Sequence, residues 1–175
     1  TTSESDIADM QAMIQAALAF FRDDNRIGER RRLDLRSLVE SVTDDLADRG
    51  EPVTLHDGDP VVIEGDAAGL KALVANLVGN ALKYAGDAEV TLAELDGHAV
   101  IAERDHGPGI DPDDLDRLFE PFFRGERSRN RDTGGIGLGM AIARDIVHHH
   151  GGSIGLENRP EGGLRVSVKL PANPT

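Results

Sequence analysis

Three polar side chains, Asn76, Asn80 and Lys83, stand four and three residues apart in Asn76-Leu77-Val78-Gly79-Asn80-Ala81-Leu82-Lys83-Tyr84. That spacing puts them on one face of a helix. Leu73, Val74, Leu77 and Val78 fall on the adjoining face and are expected to seat the helix on a core. Asparagine is a poor helix-interior residue, so two of them one turn apart call for a reason. One reason is structural: a pair of satisfied polar groups on a partly buried helix. The other is chemical: Asn80 offers a carbonyl oxygen to Mg2+, and Lys83 offers a charge to a phosphate.

Three further strings carry chemistry downstream. Asp105-His106-Gly107-Pro108-Gly109-Ile110 sets a carboxylate at a strand end, followed by two glycines that let backbone approach a ligand closely. Taken alone it also reads as a turn with a solvated Asp. Phe119-Glu120-Pro121-Phe122-Phe123-Arg124 holds three of the five phenylalanines. Phe20 and Phe21 belong to the first helix, so the central core is expected to contain none. Aromatics in a loop instead of a core suggest a surface that docks and undocks. The last string, Gly134-Gly135-Ile136-Gly137-Leu138-Gly139-Met140-Ala141-Ile142, feeds a helix N-terminus, where free N–H groups suit an anion. Met140 breaks any dinucleotide G-x-G-x-x-G starting at Gly135, and the loop follows no strand. Neither a P-loop nor the glycine loop and lysine of protein kinases is present.

Composition narrows the field. A hydrophobic fraction of 39% suffices for a core, and no apolar run approaches a membrane span. With no secretory signal and no initial Met, the chain reads as an excised fragment. The absence of cysteine excludes disulfides and thiolate metal sites. A net charge of −13 weighs against a nucleic-acid binder.

These strings must be positioned by the elements around them. Ser3 or Ser5 can cap a first helix in which Ile7, Met10, Ile14, Ala17 and Phe21 form a heptad seam. It packs either on its own domain or, as the narrow seam favours, in a coiled coil or bundle. Residues 23–32 are charged and form a linker, with Arg30-Arg31-Arg32 solvated. Asp34 can cap a helix buried through Leu38, Val39, Val42 and Leu46, and Asp66 caps the asparagine-bearing helix, which runs to about Tyr84. Residues 53–55 and 61–64 read as short strands, and 88–95 and 98–105 as a hairpin around Asp96-Gly97. A short helix opens at Asp111-Pro112 and runs through Leu118. Phe119 to about Gly135 is a long loop of the kind that usually carries function. A helix over 137–150 and strands over 153–156 and 164–170 close the chain. The sum is an α+β two-layer sandwich, a mixed sheet of about five strands with helices on one face.

In order, Asn76 to Tyr84, Asp105 to Ile110, Phe119 to Arg124 and Gly135 to Ile142 resemble the four boxes of the sensor histidine kinase ATP-binding domain. That family belongs to the wider group of gyrase-type and chaperone ATPases with the Bergerat-type ATP-binding fold. The resemblance implies domains at 1–25 (second helix of the dimerisation hairpin), 26–32 (linker), 33–171 (catalytic domain) and 172–175 (tail). It implies that Asp105 accepts a hydrogen bond from the adenine amino group and repels a guanine oxygen. Gly107, Gly109 and Ile110 then line the adenine pocket, with Tyr84 along the nucleotide edge. Asn80 coordinates Mg2+, Asn76 and Lys83 sit near the phosphates of ATP, and Arg124 reaches the γ-phosphate. Gly135, Gly137, Leu138 and Gly139 form a hinged lid that brings N–H groups to the triphosphate.

Where gyrase-type ATPases carry a water-activating glutamate four residues before the Mg2+ ligand, this chain has Asn76, which is no base at neutral pH. The resemblance therefore implies that ATP is held without rapid hydrolysis and its γ-phosphoryl is passed to a histidine imidazole. That histidine belongs to a first hairpin helix missing from this chain. His56, His98 and His106 fall in loops or strand ends. His148, His149 and His150 end a helix, where imidazolium suits the dipole. The implied partners are the parent's own dimerisation domain, in a homodimer, and a response regulator receiver domain. The implied place is the cytoplasm, below segments that anchor the parent in a bacterial inner membrane. A non-catalytic nucleotide-binding regulatory module and a water-using ATPase of the same fold are the alternatives.

Overall fold

The computed structural model describes residues 30–120 and 139–172. The chain enters through β1 (Arg31–Asp34), and Asp34 caps helix α1 (Leu35–Asp48), its carboxylate accepting from the Arg36 N–H at 3.0 Å. Helix α1 buries Leu35, Leu38 and Val39 and lays Val42 and Leu46 against the same core. Strands β2 (Val53–Leu55) and β3 (Val62–Gly65) follow. Asp66 then caps helix α2 (Ala67–Ala85) through the Ala68 N–H at 3.1 Å. Gly86 ends α2 in the left-handed region, φ 84°, returning its N–H to Ala81 and Leu82. Strands β4 (Ala88–Leu95) and β5 (His98–Arg104) turn at Asp96 and Gly97, whose φ values of 52° and 79° suit a tight hairpin. Helix α3 (Gly139–His149) and strands β6 (Ser153–Asn158) and β7 (Leu164–Pro171) complete the described chain.

The main sheet has five strands in the order β2-β4-β5-β7-β6, with β2 parallel to β4 and every other pairing antiparallel. Register brings Leu92 opposite Ile101 and Ile101 opposite Val168, so the inward positions form one continuous apolar row. Against it lie Leu70, Leu73, Val74, Leu77 and Val78 of α2 and Ile142, Ile146 and Val147 of α3, all buried in one cluster. At about 1.5–3 kcal/mol for each fully buried aliphatic side chain, this interface dominates the stability of the domain. The opposite face carries Thr91, Ala102, Ser167 and the Glu89–Arg104 ion pair, none of them buried. The α+β layering read from the sequence is thus the architecture found.

Several local readings change. Residues Arg31 and Arg32, expected as solvated linker, pair with β3 in a separate two-stranded ribbon, opposite Gly65 and Glu64. Ladder bonds use only the backbone, so both side chains stay exposed while the chain is held. Phe119, expected in an exposed loop, ends a 3-10 turn (Asp116–Phe119) and joins the core at 9% exposure. The Arg144 guanidinium covers its ring at 5.4 Å. The single helix expected after Asp111 is two short 3-10 turns, the first being Pro112–Asp114.

Two buried polar residues had no signature in the sequence. Arg36 is 5% exposed and donates to three carbonyls: Asp59 at 2.7 Å, His56 at 3.1 Å and Leu92 at 2.6 Å. It ties α1 to the 56–60 loop and to the far end of β4. His150 is buried rather than a solvated imidazolium at a helix end. Its Nδ1–H donates to the Ile146 carbonyl at 2.8 Å, and its Nε2 accepts from the Asp66 N–H at 3.0 Å. Burial pushes its pKa below the usual histidine value, helped by the charges of Arg30 and His149.

Candidate functional site

Helix α2 underlies the whole constellation. Asn76, Asn80 and Lys83 share one face of it, and Tyr84 completes the last turn; all four are half-buried. Gly139, the first residue of α3, lies directly over the asparagines. A Cβ built there would stand 3.4 Å from Asn80 Oδ1 and 3.5 Å from Asn76 Oδ1. The asparagine-bearing face and the glycine-fed helix start are therefore in contact, on the same side of the sheet. Asn76 Nδ2 is buried and has no hydrogen-bond partner among the described residues. A buried donor of this kind is normally satisfied, and an anionic ligand oxygen would satisfy it.

At its C-terminal end α2 meets the turn after β5. A Cβ on Gly107 would come within 2.6 Å of the Ala85 Cβ, so the absence of a side chain lets that turn lie on the helix. Asp105, 1% exposed, is held by its neighbours on β7. Its N–H donates to the Leu164 carbonyl, and its Oδ1 accepts from the N–H groups of Gly107 at 3.0 Å and Leu164 at 3.1 Å. Both bonds fall on one oxygen. That fixes the carboxylate plane and leaves Oδ2 as an acceptor with no hydrogen bond from the described residues.

The turn is also clamped from outside. Arg159 donates to the Asp105 carbonyl at 2.7 Å. Asn158 accepts from the Ile110 N–H at 2.9 Å and donates to the Ile110 carbonyl at 2.6 Å. Gly163, φ 92°, packs so closely that a Cβ would sit 2.8 Å from the Asp105 carbonyl carbon. On the other flank Asp87 accepts from the His106 N–H at 3.0 Å, and its second oxygen meets His106 Nδ1 at 2.5 Å. Burial alone would raise the Asp87 pKa, but the His106 ring and N–H and the Arg159 charge bring it below the usual carboxylate value.

The structure thus brings Asn76, Asn80 and Gly139 together in the middle of α2 and sets the turn holding Asp105, Gly107, Gly109 and Ile110 against its C-terminal end. Arg124, Gly135, Gly137 and Leu138 lie outside the described residues, as does the first helix. No three His, Asp or Glu side chains converge among the described residues. A divalent cation at this place would rest on Asn80 and on oxygens of its ligand. Sequence reasoning missed Asn158, Arg159, Gly163 and Asp87. The Gly162-Gly163 pair was the one available signal, both residues having positive φ.

The layered fold and the asparagine–glycine contact fit a nucleotide-binding α+β domain, and comparison with known proteins gives its family. The model of the histidine kinase-, DNA gyrase B- and HSP90-like ATPase family matches residues 65–174, and the chain belongs to that family. Sensor histidine kinase GtrS of Pseudomonas aeruginosa is 36% identical over 168 residues, covering 95% of this chain and 34% of that protein. The chain therefore spans about a third of that relative's length. Among solved structures, the mycobacterial sensor histidine kinase MprB superposes with a TM-score of 0.70 at 28% identity, over 83% of this chain and 99% of that one. The ATP-binding domain of PrrB from Mycobacterium tuberculosis gives 0.69 at 27% identity, over 83% and 98%.

Proposed function

We propose that this chain is the ATP-binding catalytic part of a sensor histidine kinase, which transfers the γ-phosphoryl of ATP to a histidine. The acceptor histidine belongs to the parent's dimerisation domain, and a response regulator aspartate receives the phosphoryl from it. Asp105 Oδ2 accepts the adenine amino group, Gly107, Gly109 and Ile110 border the base, and Tyr84 lies along its edge. Asn80 ligates Mg2+, while Asn76 Nδ2 and Lys83 bind phosphate oxygens, and Gly139 with Gly135, Gly137 and Leu138 covers the triphosphate. Arg124 compensates charge on the γ-phosphoryl. Because a carboxamide at position 76 takes no proton from water, the bound ATP is kept for the histidine. The parent works as a homodimer, with residues 1–25 as the second hairpin helix, 26–32 as linker and 33–171 as catalytic domain. It lies in the cytoplasm below an inner-membrane anchor carried by other segments. Among the described residues no helix is long and apolar enough to cross a membrane.

The observation that carries this reading is the contact of Gly139 with Asn76 and Asn80, which places an anion-attracting helix start over a carboxamide pair. The test supplies a separately produced dimerisation hairpin, with its histidine, to this chain and radiolabelled Mg-ATP. Label that appears on the hairpin, is lost in acid and survives base is the expected result. ATP binding without any transfer would leave a regulatory module, and fast phosphate release without the hairpin would leave a water-using ATPase.

A further inference from the structure

The turn between β6 and β7 lies outside every motif that marks the cleft, yet it shapes the loop beside Asp105. Asn158 engages both main-chain groups of Ile110, accepting from its N–H at 2.9 Å and donating to its carbonyl at 2.6 Å. One carboxamide thereby does the work of a strand partner for a single residue. Gly109 makes room for it: its φ of 76° lies in the left-handed region, and a Cβ there would stand 2.8 Å from Asn158 Oδ1. The missing side chain at 109 thus admits Asn158. Arg159, whose side chain is 11% exposed, holds the other end of the loop through the Asp105 carbonyl. Asn158 itself is exposed, so its two bonds contribute little to global stability and mainly fix where residues 107–110 run.

We propose that Asn158 is a positioning residue for nucleobase recognition. By pinning Ile110 it sets the path of the Asp105–Ile110 loop, so affinity for the base and preference for adenine depend on it. The phosphate end, built on Asn76, Asn80 and Gly139, does not. This rests on the reading of Asp105 as the base-recognising carboxylate.

The test is calorimetric titration of the unmodified chain, Asn158→Ala and Asn158→Asp with ATP and GTP, each with and without Mg2+. The Asp variant keeps the acceptor toward the Ile110 N–H and turns a lone pair toward its carbonyl. In Asn158→Ala, ATP binding should weaken about tenfold, the worth of two modest hydrogen bonds. The ATP-to-GTP ratio should fall, the factor by which Mg2+ tightens binding should hold, and the melting temperature should stay within a few degrees. Asn158→Asp, which sets a carboxylate oxygen against that carbonyl, should weaken ATP at least as much, and it decides alone if the alanine variant does not fold. Unchanged affinity and selectivity in the variants, beside a selective unmodified chain, overturns the positioning role. So does a loss that erodes the Mg2+ factor equally, since that marks general loosening. An unmodified chain that does not distinguish ATP from GTP sinks the base-site reading itself, and this inference with it.

Discussion

Replacing Asp105 by Asn separates recognition from folding. The two N–H groups of Gly107 and Leu164, at 3.0 and 3.1 Å from Oδ1, demand an oxygen at that position. In Asp105→Asn the amide oxygen must take it, which forces Nδ2 into the place of Oδ2. Shape and both anchoring bonds are kept, and the group facing the ligand changes from acceptor to donor. On the proposed reading adenine presents its own amino group there and guanine an oxygen, so with ATP donor meets donor. The loss is one charge-assisted hydrogen bond, about 1.5–3 kcal/mol, which is roughly ten- to a hundred-fold in Kd. Guanine presents an acceptor at the same place, so GTP should hold or gain. Calorimetry with Mg-ATP and Mg-GTP on the two proteins reads four affinities, with melting curves as the fold control. Four equal affinities, or an unchanged ATP-to-GTP ratio with ATP binding intact, would refute the assignment of Oδ2. Asp105→Ala cannot serve, because it strands two N–H groups beside a buried position and destabilises the domain.

Asn76→Asp should raise phosphate release from ATP by giving the site a carboxylate base; if binding is intact and release does not rise, the carboxamide is not what restrains hydrolysis. His150 makes stability pH-dependent: its folded pKa is depressed by burial, so its contribution is complete above the unfolded value of about 6.5 and is lost as pH falls toward the folded one. Urea midpoints should drop between pH 7.5 and 5.5, less steeply in His150→Gln, and equal slopes would contradict the neutral tautomer. Arg36→Met removes the donors of three carbonyls and should cost about 2–4 kcal/mol in chemical denaturation; a loss under about 1 kcal/mol would mean water replaces the guanidinium. Gly163→Ala, which drives a Cβ into the Asp105 carbonyl, should lower the melting temperature well beyond Gly162→Ala. At φ 105° with nothing within 4 Å, Gly162→Ala carries backbone strain alone; equal losses would put the whole cost in the backbone.

What was legible was local. Asp34 and Asp66 are helix caps because a carboxylate reaches the N–H two residues on, and Asp96-Gly97 is a hairpin because both φ values are positive. The asparagine face was readable because helical spacing predicts it. The bonds that complete the site join residues far apart in sequence: Asn158 to Ile110 across 48 positions, and His150 to Asp66 across 84. Nothing near either residue encodes those meetings. The first arises when β7, paired with β5, carries the end of β6 to the turn after β5. The second arises when the two helices pack with the start of one against the end of the other. Phe119 was misread for a like reason, since Arg144 of α3, far along the chain, covers its ring.

The clasp between His150 and Asp66 puts the last turn of α3 against the first turn of α2, while Gly139 puts the other ends of the two helices together at the asparagines. Arg30, just ahead of the entry ribbon, donates to the His149 carbonyl at that same foot. Residues 30–34 are therefore fastened to the foot of both helices, roughly 20 Å along α2 from Asn80.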